Sequence, residues 1–128
     1  MSTYPEANES RYYELLAQGR EPSRIPAGEV VFQQGERGDE SMYLVQDGSV
    51  ELRDGDRVVE TVSPPGLFGE LGLIEHEPRS LTAVAGTDVT LIDIPARYFW
   101  ILVHETPYFA QLVMRVMARR LRERGGMT

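Results

Sequence analysis

Hydrophobic and polar residues alternate with period two through the middle of the chain and recur at helical spacing towards its two ends. From about Glu9 to Gly19, ESRYYELLAQG predicts a short helix. Ser10 is its expected cap, Tyr12, Tyr13, Leu15 and Leu16 supply apolar faces, and Gly19 is the stop. The period then becomes two. Ile25-Pro26-Ala27-Gly28 predicts a turn, and GEVVFQQG the start of a strand. Residues 35–39 are a second turn, and Ser41 to Gln46 a strand. Asp47-Gly48, between YLV and SVEL, reads as a hairpin turn, as does Asp54-Gly55 between VELR and RVVETV. Pro64-Pro65-Gly66 breaks the pattern. Leu81 to Ala85 and Val89 to Ile94 are further predicted strands on either side of Gly86-Thr87-Asp88. Short strands at close spacing, separated by turn residues, predict an all-β barrel or jelly roll.

The end of the chain reads as helix. Pro95 suits a first helical position, and ARYFWILVHE, apolar nearly all round, is expected to be largely buried. Thr106-Pro107 restarts the helix, the hydroxyl as cap and the proline in the first position. Phe109, Leu112, Val113, Val116, Met117 and Leu121 then recur on one face until Gly125-Gly126. The expected fold is mainly β with flanking helices: an antiparallel β-roll or jelly roll followed by C-terminal helices. Residues 1–24 are expected to be a polar tail, disordered over 1–8, plus the short helix. Residues 25–128 are expected to form the roll and its C-terminal helices, as one domain overall.

Composition narrows the chemistry. The chain has 128 residues and no cysteine, so disulfides, zinc–thiolate sites and iron–sulfur clusters are excluded. No apolar run reaches the length of a membrane span, and MSTYPEANES has no secretory pattern. A cytoplasmic location and no membrane partner are the expectations. The net charge of −7 disfavours a polyanion partner for the chain as a whole. Arg115, Arg119, Arg120, Arg122 and Arg124 cluster near the end, where they read as helix-end charges opposing the macrodipole, not as a DNA contact. His76 and His104 are the only histidines, in unrelated segments, which disfavours a cupin-type metal enzyme. No serine–histidine–aspartate arrangement with a nucleophile turn is visible.

The stretch FGELGLIEHEPRSLTA, from Phe68 to Ala83, concentrates the remaining chemistry. Phe68-Gly69-Glu70-Leu71 opens a short helix, whose first N–H groups suit an anion. Gly69 permits close backbone approach. Arg79 offers a fork that matches phosphate oxygens, with the Ser80 hydroxyl beside it. Glu70 suits a sugar hydroxyl.

This stretch resembles the phosphate-binding cassette of the cyclic-nucleotide-binding domain family, which includes catabolite activator proteins, kinase regulatory subunits and nucleotide-gated channels. The family pattern, F-G-E-[LM]-x-L and then P-R-[SAT]-A, is matched in spacing without a gap by FGELGL, IEHE and PRSL, with Leu81 in place of the last alanine. The order IPAGEVVFQQG then YLVQDGSVEL is also similar, so the resemblance runs from about Ile25 to the C-terminus. It implies a regulatory module and not an enzyme. The implied ligand is cyclic AMP or cyclic GMP, held by Phe68, Gly69, Glu70, Leu71, Arg79, Ser80 and Leu81. Threonine directly after the arginine favours cyclic GMP in the family, so Ser80 points to cyclic AMP. Leu81 departs from the usual alanine and is expected to share the face of Arg79 on a strand. The C-terminal helix is expected to transmit the bound state to an unknown effector protein and to seam a homodimer through Phe109, Leu112 and Val116. The lid over the base is expected to be short, and the DNA-binding domain of the activators absent. A second reading is a ligand-free structural or protein-interaction module on the same fold, with Leu81 closing the pocket.

Overall fold

The structure of the chain, a computed structural model, describes residues 9–123. The expectations for residues 1–8 and for Gly125-Gly126 lie outside the described residues. In chain order the strands are β1 (Ser23–Ile25), β2 (Val30–Phe32), β3 (Ser41–Asp47), β4 (Val50–Asp54), β5 (Arg57–Val62), β6 (Gly66–Phe68), β7 (Thr82–Ala85) and β8 (Val89–Pro95). The helices are α1 (Glu9–Ala17), α2 (Glu70–Glu75), α3 (Ala96–Glu105) and α4 (Pro107–Glu123). Every strand pair is antiparallel, in two four-stranded sheets of order β1-β8-β3-β6 and β2-β7-β4-β5. This is the two-sheet jelly roll expected from the spacing of turns.

One turn does something other than expected. Asp54-Gly55 closes a hairpin, with Asp54 opposite Arg57. Asp47-Gly48 does not. β3 pairs with β6 and β8, whereas β4 pairs with β5 and β7, so the chain crosses from one sheet to the other at Gly48. The physical reason is a second corner packed against the first. Gly48 has φ 78°, and a Cβ there would lie 2.1 Å from the carbonyl oxygen of Asp88. The Ser49 N–H donates to Thr87 Oγ1 at 3.0 Å, and the Gly86 N–H donates to the Ser49 carbonyl at 2.9 Å. The β3–β4 and β7–β8 corners therefore run side by side and fold both sheets at once. β1 and β6 have three residues each, too few to show a period.

Two apolar clusters share the β1-β8-β3-β6 sheet. Inside the roll, Phe32, Val45, Val50, Leu52, Val62, Phe68, Ala83, Ala85, Val89 and Leu91 pack together. Outside it, Met42, Leu44, Ile92 and Ile94 face Tyr13 and Leu16 of α1, Phe99 of α3, and Phe109, Leu112, Val113 and Val116 of α4. β3 and β8 thus contribute alternate residues to each cluster.

Several local expectations are corrected. α1 already includes Ser10 in its first turn, so that residue is not the residue before the helix. Pro95 closes β8 opposite Ser41 and precedes α3 with extended ψ 151°, outside the first helical position. In α3 only Phe99 is buried and Ile101 is 45% exposed, because one side of this helix has no layer above it. Pro107 does open α4, where the Phe109 N–H donates to the Thr106 carbonyl at 2.9 Å. Phe109, Leu112 and Val116, expected to seam a homodimer, are buried in the chain's own core. The apolar side chains that α4 exposes are Tyr108, Met114 and Leu121.

The roll also fixes where α2 can sit. Gly72 lies on the backbone of Gly38, in the β2–β3 loop; a Cβ at Gly72 would be 2.2 Å from the Gly38 carbonyl oxygen. Gly72→Ala is therefore expected to lower stability by about 1–3 kcal/mol, because backbone cannot yield as a side chain does. Thermal unfolding checks this; an unchanged midpoint would show that α2 can shift away from Gly38.

Candidate functional site

The cleft begins with a glycine. Gly69 follows β6 and precedes α2 in the left-handed region, φ 85°. That turn brings Glu70, Leu71 and Gly72 to one wall of a cleft. Glu75, Glu77, Pro78, Arg79, Ser80 and Leu81 form another part of the lining, with Phe32 and Leu52 from the roll and Arg120 from α4. The cleft opens to solvent, and the empty space in and in front of it is about 580 Å³. Residues 76–81 are a loop, begun by His76 in the left-handed conformation at the end of α2. Arg79 and Leu81 were expected on a strand; they line the same cleft from this loop, and β7 starts only at Thr82.

Arg79 is held from behind. Its N–H donates to the Glu36 carbonyl at 2.7 Å, and its carbonyl accepts the Gly35 N–H at 2.8 Å. The same loop carries Gly38, where a Cβ would lie 3.2 Å from Arg79 Cδ. The guanidinium donates from Nη1 to the Gly69 carbonyl at 2.8 Å and from Nη2 to the Ser41 carbonyl at 2.7 Å. It lies over the Phe32 ring, 4.1 Å from the centroid. Arg79 is only 6% exposed, its buried Nε has no partner, and among the described residues no carboxylate forms an ion pair with it. Burial pulls its pKa below the ordinary guanidinium value, while the fields of Tyr43, Glu70, Glu36 and Asp93 oppose that shift. A desolvated cation without a counter-charge, in the lining of a cleft, is suited to an anion.

Glu70 has the opposite situation. It is 1% exposed and bonded through Oε1 to Arg120 Nη1. Arg120 also donates from Nη2 to the Leu67 carbonyl, and from Nε to both Glu60 oxygens at 2.9 and 3.0 Å. Burial opposes the charge of Arg120, but Glu70 and Glu60 outweigh it and raise its pKa.

The remaining expected site residues divide. Gly69 is tight against the clamp; a Cβ there would come 2.9 Å from Arg79 Nη1. Leu71 and Leu81 are half-buried in the cleft lining, and Leu81 also packs on the inner cluster. Ser80 lines the cleft and is exposed. Phe68 is a correction: its side chain is fully buried, stacked on Tyr43 at 5.2 Å between centroids and 5.9 Å from Phe32, and does not line the cleft. Its ring points into the roll because β6 pairs with β3 and sets Phe68 opposite Tyr43.

Arg120, Glu60, Phe32 and Leu52 were not anticipated. Arg120 carried a readable trace, since it continues the buried row of Val113 and Val116 at helical spacing, where a charge needs a buried partner. Glu60 carried none. His76 and His104 are both exposed. Among the described residues no three histidine, cysteine, aspartate or glutamate side chains cluster as metal ligands.

Residues 22–106 match the cyclic nucleotide-binding domain. The chain belongs to that family. It is 36% identical over 105 residues to a cyclic nucleotide-gated potassium channel of Rhizobium etli, covering 82% of this chain and 28% of the channel. It is 34% identical over 103 residues to the cyclic AMP receptor protein of Thermus thermophilus, covering 77% of this chain and 47% of the receptor. The chain thus spans less than half the length of either relative. Among solved structures, the Thermus thermophilus catabolite activator protein superposes with a TM-score of 0.73 at 29% identity, covering 97% of this chain and 58% of the activator. A protein from a cyclic-GMP-dependent signalling pathway that regulates bacterial phytopathogenesis superposes at 0.74 and 27% identity, covering 94% and 98%. The cassette pattern and the β-roll are therefore those of a cyclic nucleotide-binding regulatory domain.

The buried pair has a consequence for stability. Arg120→Ala leaves Glu70 buried without a counter-charge and is expected to cost about 3–5 kcal/mol. Combining Arg120→Met with Glu70→Gln is expected to recover part of that, since the fully buried carboxylate is then neutral and only the part-exposed Glu60 loses the guanidinium. Denaturant titration of both variants checks this; equal losses would mean that Arg120 acts through packing alone.

Proposed function

We propose that the cleft binds a cyclic nucleotide, cyclic AMP in preference to cyclic GMP, and reports the bound state through α4. The observation that carries this reading is Arg79, a buried guanidinium with an unpartnered Nε and no carboxylate partner among the described residues. Arg79 takes the cyclic phosphate, with the Ser80 hydroxyl beside it. Glu70 takes a ribose hydroxyl. Leu71, Leu81, Leu52 and Phe32 supply apolar surface for the sugar and base. The cleft stands open beside Leu81, which supports ligand entry over a pocket closed by that side chain. The preference for cyclic AMP rests on Ser80 in place of threonine and on the 34% identity to a cyclic AMP receptor protein. The domain works as a switch: ligand favours one placement of α4 by its differential affinity, and a partner protein reads that placement. A homodimer through α4 has the outward residues Tyr108, Met114 and Leu121 for its seam.

Calorimetry with cyclic AMP and cyclic GMP tests the reading directly; heat from neither would overturn it. Arg79→Ala is expected to weaken cyclic AMP binding by about 2–5 kcal/mol while the fold persists, because the lost contacts are two backbone carbonyls and the ligand. Equal affinity of wild type and variant would move the phosphate elsewhere.

Leu81→Ala is expected to tighten cyclic AMP binding by up to about tenfold, at about 1.4 kcal/mol per decade, by removing volume from the lining. Its contacts with the inner cluster predict a small accompanying loss of thermal stability. Unchanged affinity would show that the ligand does not reach this side chain.

A further inference from the structure

We infer that Glu75 and Glu77 act as a charge filter at the cleft: they tolerate a phosphate diester, with its single negative charge, and turn away phosphate monoesters and polyphosphates. The inference rests on the cleft being a cyclic nucleotide site and concerns which nucleotides are kept out of it. A cyclic phosphate is a diester, whereas a terminal monoester carries close to two charges above its second pKa of about 6. The lining offers little for that second charge. Arg79 is buried and forms no ion pair among the described residues. The other lining cation, Arg120, is already engaged by Glu70, Glu60 and the Leu67 carbonyl. One anionic charge therefore balances Arg79, and no second cation in the lining waits for another.

Glu75 and Glu77 meet any such excess. Both line the cleft, both are exposed, and among the described residues neither forms an ion pair or a side-chain hydrogen bond. Exposed carboxylates elsewhere on the chain serve solvation; these two differ in lining the same cleft as Arg79, four and two residues before it in the chain. Their backbone cannot retreat. Glu75 ends α2, the helix whose Gly72 lies on the Gly38 backbone. A Cβ at Gly38 would lie 2.7 Å from the Glu77 carbonyl oxygen, and the Arg79 N–H is tied to the Glu36 carbonyl. A charge beyond the one that Arg79 balances is thus held beside two fixed carboxylate stems and is repelled. Because both side chains are in water, the repulsion is screened by salt over about 10 Å at 0.1 M. The filter therefore grades ligands by charge and does not close the cleft.

The test is displacement of a fluorescent cyclic AMP by three ligands: cyclic AMP, 5′-AMP, and the methyl ester of 5′-AMP. The methyl ester is open like 5′-AMP but carries one charge like the cyclic form, so the gap between it and 5′-AMP isolates charge from shape. The proteins are wild type, Glu75→Gln, Glu77→Gln, the double variant, and Glu29→Gln as an exposed carboxylate outside the lining. At low salt wild type is expected to bind 5′-AMP more weakly than the methyl ester. The double variant is expected to narrow that gap by about 3- to 10-fold, the scale of two exposed charge pairs, and each single variant part of the way. Raising the salt should narrow the gap in wild type and change it less in the double variant. A gap unmoved in the double variant overturns the filter. So does a gap moved as far by Glu29→Gln, since net charge alone would then explain it. If neither open ligand displaces the probe from any variant, shape excludes them and the filter is again overturned. Each of these outcomes leaves the cyclic nucleotide reading intact if wild type binds cyclic AMP; wild type that does not bind it overturns that reading itself.

Discussion

Two guanidiniums and one carboxylate are buried along the walls of a single cleft, and only one of the guanidiniums pairs with the carboxylate. Removing a charge from water is costly unless partners replace the solvent. Arg120 has such partners on three elements. Arg79 has two backbone carbonyls and an aromatic face, which satisfy donors but supply no counter-charge. The asymmetry has a structural origin. Arg120 reaches Glu60 and Glu70 from α4, and Arg79 reaches the Gly69 and Ser41 carbonyls from the loop of residues 76–81. The pairing on one side leaves an unneutralised cation on the other.

That arrangement depends on close backbone packing more than on side chains. Gly38 and Gly72 touch backbone to backbone, and the loop that carries Gly38 also fixes both peptide groups of Arg79. A side chain at Gly72 would push α2 off the loop, and one at Gly38 would press on Glu77 and Arg79 and shift the clamp. The apolar interior contributes from the other direction: Phe32, Tyr43 and Phe68 form one aromatic group, and Phe32 doubles as the surface on which Arg79 lies. The core of the roll and the floor of the cleft share Phe32 and Leu52. Phe68, in the most recognisable part of the cassette, belongs to packing and not to the lining.

Much of the fold was legible because its rules are local. Asp54-Gly55 between alternating runs specifies a hairpin, and the row from Phe109 to Val116 specifies an apolar helix face, though not that it packs on the chain's own core. The cassette was legible as a string, with Gly69, Glu70, Leu71, Arg79, Ser80 and Leu81 all on the cleft. What escaped was long-range. Asp47-Gly48 has the same dipeptide as a hairpin, and only the neighbouring corner at Thr87 and Asp88 turns it into a crossing between sheets. Arg120 lies 50 residues from Glu70 and 60 from Glu60, so local spacing says nothing of either contact. Its visible trace, a charge in an apolar row, was hidden among neighbouring arginines that read as one solvated helix end.

The placement of Arg120 also constrains how the proposed switch can work. Among the contacts that dock α4 are two unlike ones: an apolar row outside the cleft lining, and the Arg120 group at its end, which includes a residue of the cleft. A ligand hydroxyl on Glu70, as proposed, would act on the second. Coupling between ligand and helix is therefore bounded by what sharing Glu70 changes in the Arg120 contact, and by linkage it acts equally in both directions. Glu60 and the Leu67 carbonyl hold Arg120 whether or not Glu70 is shared. The end of α4 can thus be loosened or tightened over a limited range while the apolar row keeps the helix on the roll. A graded adjustment of the last turns of α4 fits these contacts better than release of the whole helix, since release would expose Phe109, Leu112, Val113 and Val116 together.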